Sequence, residues 1–267
     1  MGSNEIFGVI HNHTSIRSYK NTPVPEETLN KILHAATRAS SSGNMQAYSV
    51  IVTSDQRIKE ELYEPHFKQN MVLDAPLLLT FCADFHRMKR WIKLREAPEN
   101  FDNFMSFMIA AIDAVLASQN AALAAEAEGL GICYMGTTLA SCDRIAKILN
   151  CPEGVVPVVG FSLGYPDEQP KTRDRLPTTA LVHREQYQMK TDDEILESYS
   201  DREIAGWKRY MNHPDLRKAI EESGVKNLAQ VYTKLKYTRE SHEIYSETVF
   251  NCLERQGFLR RALPLQN

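Results

Sequence analysis

The longest apolar run of the chain, FMSFMIAAIDAVLASQNAALAA at 104–125, is the strongest constraint on what it can fold into. A helix through it, rising about 1.5 Å per residue, is long enough to cross the hydrocarbon of a bilayer. Yet the run contains Asp113 and the polar trio Ser118, Gln119 and Asn120, and Glu126 follows it directly. An Asp at the centre of a span costs on the order of 2.5 to 3.5 kcal/mol. The expectation is therefore no membrane span but a helix buried on nearly all sides, in a core or in a subunit interface. Composition agrees with a folded chain, because 43% hydrophobic residues are too many for disorder and 12 Gly with 12 Pro too few for low complexity. With 31 basic against 34 acidic residues there is no general electrostatic footprint for nucleic acid. Five cysteines without a C-x-x-C pair read as free, buried thiols. The start, MGSNEIFGVIHNH, lacks the basic flank and long apolar run of a secretory signal, so a reducing cytoplasm is the expected location.

Periodicity places the other elements. PEETLNKILHAATRAS predicts an amphipathic helix, with Pro25 near its start, Glu26 and Glu27 in the first turn, and Leu29, Ile32, Leu33 and Ala36 on one face. The polar loop SSSGNMQ at 40–46 runs into AYSVIVTS, a strand, and a short helix fits 55–63. LLLTFCAD is too continuously apolar for a half-exposed strand and suits a central one. The long helix stops at GLG, where Gly129 supplies a left-handed cap. ICYMG is a short strand, SCDRIAKILN a helix capped by Ser141, and VVPVVGFSLGYP a buried strand closed by Pro166. This alternation gives one sheet of the α/β or α+β class. Beyond Glu194 the chain turns to charged helical segments such as DLRKAIEESG and SETVFNCLERQGF, expected to wrap the core or a partner subunit.

Familiar reactive motifs are absent. There is no phosphate loop, dinucleotide fingerprint, nucleophile elbow or H-E-x-x-H. His11 and His13 stand two apart and would point to opposite faces of a helix, so no metal is expected. Small polar and cationic clusters at element ends remain. In HTSIR, extended chain would turn His13, Ser15 and Arg17 to one side, as an anion site or as a loop whose Arg pairs with a carboxylate. Ser40, Ser41 and Ser42 are polar loop or ligand contact. TRDRLP sets Arg173 and Arg175 together, either to hold a phosphate through paired hydrogen bonds or as a solvated basic loop.

The ordered combination is more specific than its parts. HTSIRSYKNTPVPEETLNKILHAATRASSSGNMQ, FKQNMVLDAPLLLTFCADFHR, AEAEGLGICYMGT and VVGFSLGYPDEQPKTRDRLP follow one another in an order and spacing that resembles the FMN-dependent nitroreductase and flavin reductase family. The likeness is to its branch of oxygen-insensitive NADPH nitroreductases and NADPH flavin oxidoreductases, and it runs from about Ile6 to Tyr187. The resemblance implies an α+β fold with a mainly antiparallel sheet flanked by helices, in an intertwined homodimer with FMN sites at the interface. It implies a core at 1–190 and a helical C-terminal extension at 191–267, and makes the apolar run the central dimer helix.

By the same resemblance, His13 and Ser15 lie near the flavin phosphate and ribityl chain, and Arg17 reaches the ribityl chain and the N1/O2 edge of the ring. Ser40, Ser41 and Ser42, chiefly the latter two, contact FMN from the second subunit. Gln69 bonds the pyrimidine edge. Tyr134, Met135, Gly136 and Thr137 form a loop beside the ring, with the Gly136 backbone close to N5, and Arg173 with Arg175 holds the phosphate. The implied activity is hydride transfer from NADPH or NADH through FMN to nitroaromatics, quinones or free flavin, small planar acceptors served in ping-pong fashion. Flavin fragmentation, reductive dehalogenation, or flavin binding without turnover are alternatives on the same scaffold. Arg173-Asp174-Arg175 stands where Lys-Pro-Arg is common, and Gly136-Thr137 where Gly-Gly is frequent. The segment 199–237 departs from the part that reads the NADPH 2'-phosphate, which leaves NADPH and NADH both open.

Overall fold

Strands β1 (Tyr48–Thr53), β2 (Leu77–Asp84), β3 (Gly131–Tyr134) and β4 (Val155–Gly164) form one sheet in the order β1-β2-β4-β3, every neighbouring pair antiparallel. The computed structural model describes residues 3–260. Before β1 come α1 (Ser3–His11) and α2 (Glu26–Thr37), and α3 (Gln56–Tyr63) and α4 (Met71–Asp74) lead to β2. Next are α5 (His86–Leu94) and α6 (Phe104–Ala127), then, after β3, α7 (Thr137–Ala140) and α8 (Cys142–Ile148). After β4 follow α9 (Thr178–Leu181), α10 (Asp192–Met211), α11 (Pro214–Ser223), α12 (Leu228–Val231) and α13 (Arg239–Arg255). The class is α+β. The helical connections return the chain antiparallel, so the α/β alternative falls away.

The continuous apolar run of β2 is buried at every position, as a central strand requires. Its alternation divides the core into layers. Leu77, Leu79 and Phe81 join Leu29, Ile32 and Ala36 of α2 and Ala114, Ala117 and Ala121 of α6 on one face. Leu78 joins Leu62, Met71, Val72 and Ile145 on the other, beneath α3, α4 and α8. Fully burying side chains such as Leu79 and Phe81 contributes about 1.5 to 3 kcal/mol each. Pro157 sits inside the central strand β4 although it has no N–H to give, and the ladder slips register opposite it, between Phe81 and Cys82.

In α6, small alanines line the buried side, while Met105, Met108, Ile112, Val115 and Leu116 are exposed at helical spacing. The helix is long and apolar enough to span a membrane, and half of that stretch is buried within the protein. Gly129 caps its end at φ +77°, as the GLG signal required. Ser141 departs from its expected role: it makes no side-chain cap, and its hydroxyl donates instead to the Pro65 carbonyl at 2.8 Å.

The chain resolves into two compact units, residues 1–171 with 245–267, and residues 172–244. In the first, Cys252, Leu253 and Phe258 pack with Ala83, Phe85 and Phe107. The second has its own small core of Tyr210, Ile220, Val225, Leu228 and Val231.

Candidate functional site

The HTSIR segment lies along the free edge of β3. Ser15 bridges to Ile132 in parallel sense, and the Ile16 N–H donates to the Ile132 carbonyl at 2.9 Å. Gly131 makes this approach possible, because a Cβ there would stand 2.5 Å from the Ile16 side chain. Tyr19 ties the far end down, its hydroxyl donating to the Ile16 carbonyl at 2.7 Å. Glu168 completes the turn: one carboxylate oxygen accepts the backbone N–H of Arg17 and that of Ser18, the latter at 3.0 Å. The Arg17 guanidinium reaches only the Ser15 carbonyl, at 3.4 Å, and among the described residues no carboxylate pairs with it. His13 bonds Glu126 at 2.5 Å through Nδ1. Burial pushes the Glu126 carboxyl above its usual range, with His13 pulling the other way.

The loop continuing from β3 is built from the inside out. Met135 is buried, and the Tyr134 hydroxyl turns inward to Ser118 Oγ at 3.1 Å. What these two residues offer outward is therefore mainly backbone. Gly136 is exposed, with nothing within 4 Å of where its Cβ would stand. Beside it, Thr137 Oγ1 lies 2.8 Å from His66 Nδ1 and 3.4 Å from Gln69 Nε2. Gln69 is aimed by a strained turn, in which Phe67 and Lys68 both take positive φ, +56° and +55°. Such backbone costs on the order of 1 kcal/mol or more per non-glycine residue. The turn is held by Phe67 N–H to Glu64 O and Lys68 N–H to Tyr63 O, both 2.9 Å. His66 is only 1% exposed, and burial pushes its imidazole down to about 4, so it is neutral near pH 7.

At the opposite edge of the sheet, the serine loop leads into β1. Asp113, 1% exposed within α6, accepts from Ser41 Oγ at 2.8 Å, from the Ser42 N–H at 2.9 Å and from the Ala47 N–H at 3.2 Å. Ser41 Oγ in turn accepts the Gln46 N–H at 2.7 Å. Ser40 and Ser42 are exposed.

Arg173 and Arg175 belong to the second unit. Between them, Asp174 is turned to α10, 3.3 Å from Arg202 and 3.8 Å from Arg209. The acid read from sequence as an intruder in a basic pair is thus neutralised by two other arginines. Arg202 also donates to the Tyr232 hydroxyl at 3.2 Å.

Sequence reasoning missed Glu168, His66 and the organising role of Asp113. The only signal for Asp113 was a charge in an apolar helix, which must find donors when buried. Among the described residues no group of three or more His, Cys, Asp or Glu is placed to hold a metal ion. One sheet edge thus gathers a cation, an open glycine and a fixed amide.

The comparisons place it further. Residues 10–165 match the Nitroreductase family, and the chain belongs to that family. It is 36% identical over 192 residues to an FMN reductase (NADPH) of Bacillus subtilis, covering 71% of this chain and 77% of that protein. A solved structure from Bacteroides fragilis is 39% identical with a TM-score of 0.86, covering 95% of this chain and all of that one. The NADPH:FMN oxidoreductase of Vibrio harveyi, solved with NAD+, is 27% identical with a TM-score of 0.77, covering 97% of this chain and 100% of that one.

Proposed function

We propose that the protein is a homodimeric FMN-dependent oxidoreductase that moves hydride from NADPH or NADH to nitroaromatics, quinones or free flavin. The observation that carries this reading is the β3 edge: the HTSIR segment with Arg17 runs along it, the open Gly136 follows it, and Gln69, from the turn between α3 and α4, is hydrogen-bonded to Thr137 beside that glycine. These residues fit FMN: a cation for an electron-rich ring edge, open backbone for a flat face, and an amide for a polar rim. Bound FMN supplies the chemistry, accepting a hydride from the nicotinamide and releasing electrons to the acceptor.

The protein's part is placement and charge. Arg17 would lower the cost of negative charge on a bound, reduced flavin, and Glu168 holds the backbone from which it projects. The open backbone at Gly136 would leave one face of a bound flavin uncovered, where nicotinamide and acceptor would stack in turn, as a ping-pong scheme needs. His13 and Ser15 serve the ribityl chain and phosphate, and Arg173 with Arg175 holds the phosphate. Ser41 and Ser42 reach the ring of the other subunit. Two features support that pairing of copies: the serine loop and the 134–137 loop adjoin opposite edges of one sheet, and the exposed apolar stripe of α6 has the length of an interface. The free thiols suit the cytoplasm.

The test is FMN binding with the Arg17→Ala variant beside the wild type. Wild-type protein is expected to retain FMN and the variant to lose it more readily and to be reduced more slowly. Equal retention and equal reduction rates would remove Arg17 from the site.

A further inference from the structure

Four of the five cysteines meet in the first compact unit, where β2, α8, the turn before β4 and α13 converge. Cys252 of α13 packs with Cys142 at the start of α8, with Ala83 of β2 and with Val156 of β4. Cys151 stands just past the end of α8, its N–H donating to the Ala146 carbonyl at 2.8 Å. Its thiol lies against that of Cys82, with Cys252 and Asp84 close by. Cys82 itself sits in β2 where the ladder to β4 slips register. No group of three or more ligands among the described residues is placed to hold a metal ion, so the chemistry open to these sulfurs is that of thiol and disulfide.

The four thiols are unequal. Cys82, Cys142 and Cys252 are buried, and Cys151 alone reaches solvent. The Cys82 thiol hydrogen-bonds toward Cys151 and holds it below the usual thiol range, while the same contact and burial hold Cys82 above it. The exposed member of the pair is therefore the one that yields a thiolate, the nucleophilic form. A reachable thiolate beside a second, protonated thiol is the arrangement that turns an oxidation into a disulfide.

We propose that Cys151 and Cys82 form a modification site for hydroperoxides, in which Cys151 takes the oxygen and Cys82 resolves it as a disulfide. The Cys151 thiolate attacks one peroxide oxygen, the O–O bond breaks, and the other oxygen leaves as an alcohol or as water. Cys151 then carries a sulfenic acid. The Cys82 sulfur attacks the Cys151 sulfur, an S–S bond forms, and the hydroxyl departs with the Cys82 proton as water. The two thiols give up two electrons and two protons, and the peroxide takes both. Burial of Cys82 fixes this order, because the oxidant meets Cys151 first. No step uses a flavin, so the inference stands apart from the function proposed above.

The test treats folded, full-length protein, as purified and fully reduced, with hydrogen peroxide, then denatures it and caps the remaining thiols with N-ethylmaleimide. Wild type should lose about 2 Da before capping, the mass of the two hydrogens. It should take up two fewer maleimides than its five cysteines allow, and yield one peptide pair joined through Cys82 and Cys151. Dithiothreitol should reverse all three changes. Cys82→Ser should stop at a sulfenic acid on Cys151 that dimedone traps, and Cys151→Ser should keep all its thiols reactive. Should either variant fold poorly, the linkage found in wild type decides alone. A disulfide that joins Cys252 to Cys151 or to Cys142 overturns the proposal. So does wild-type protein that keeps all its thiols, or one in which Cys151 runs on to sulfinic acid without a link to Cys82.

Discussion

Asp113 and Ser41 are joined by a 2.8 Å hydrogen bond that anchors the polar loop before β1 to the middle of the apolar helix α6. The same carboxylate accepts the N–H groups of Ser42 and Ala47, so one buried acid satisfies three donors of a loop that has no sheet to pair with. Removing it strands those donors, at about 1 to 3 kcal/mol for each buried one. Asp113→Ala is expected to lower the unfolding free energy by about 3 kcal/mol or more, and Asp113→Asn by less because one oxygen remains. Urea unfolding checks this, and an unchanged midpoint for Asp113→Ala would show that the loop is held by other contacts.

Glu168 should matter to the ligand although it is an acid beside an anion site. It bonds the Arg17 and Ser18 N–H groups and thereby sets the backbone of the HTSIR segment. Glu168→Ala should raise the FMN dissociation constant about tenfold, and Glu168→Gln, which keeps an acceptor oxygen, should raise it less. If both variants bind FMN as the wild type does, the segment does not need this support.

Burial of His66 predicts an acid limb in stability. Its pKa falls from 6.5 in the unfolded chain to about 4 in the folded one. The unfolded state therefore binds more protons between those values. The stabilisation is whole above pH 6.5 and is lost progressively as pH falls toward 4. From pH 7 to pH 5 the loss from this one group is about 2 kcal/mol. His66→Asn should destabilise the protein at pH 7 and flatten this part of the profile. Denaturant unfolding at the two pH values measures both, and a wild-type profile no steeper than that of the variant would contradict the neutral buried ring.

The exposed stripe of α6 predicts a self-association that one charge can break. Ile112→Glu, at an exposed position amid Met108, Val115 and Leu116, should shift a dimer toward monomers in sedimentation. FMN occupancy should fall with it, because the serine loop would then have no second subunit to serve. A variant that stays dimeric would place the interface on another surface.

Much of the fold was legible because its signals are local. The four strands are dominated by apolar and β-branched residues, and GLG ends the long helix at the glycine with positive φ. The site was legible in its outward residues and illegible in what holds them. Asp113 lies 72 positions from Ser41, and Glu168 lies 151 from Arg17, so no local pattern links either pair. His66 gave no sign of its burial. The positive φ at Phe67 and Lys68 arises where no glycine marks it. Ser141 looked like a helix cap because its position has the right residue type, but the Pro65 carbonyl competes for its hydroxyl.

The central claim is that one face of an FMN held on the β3 edge takes hydride from a nicotinamide. Anaerobic mixing of the purified, FMN-loaded protein with NADPH, and separately with NADH, tests it most directly. The visible flavin band should bleach with at least one donor and return when a nitroaromatic or quinone is added. A protein that fails to bind FMN, or one whose yellow colour persists with both donors, would contradict it.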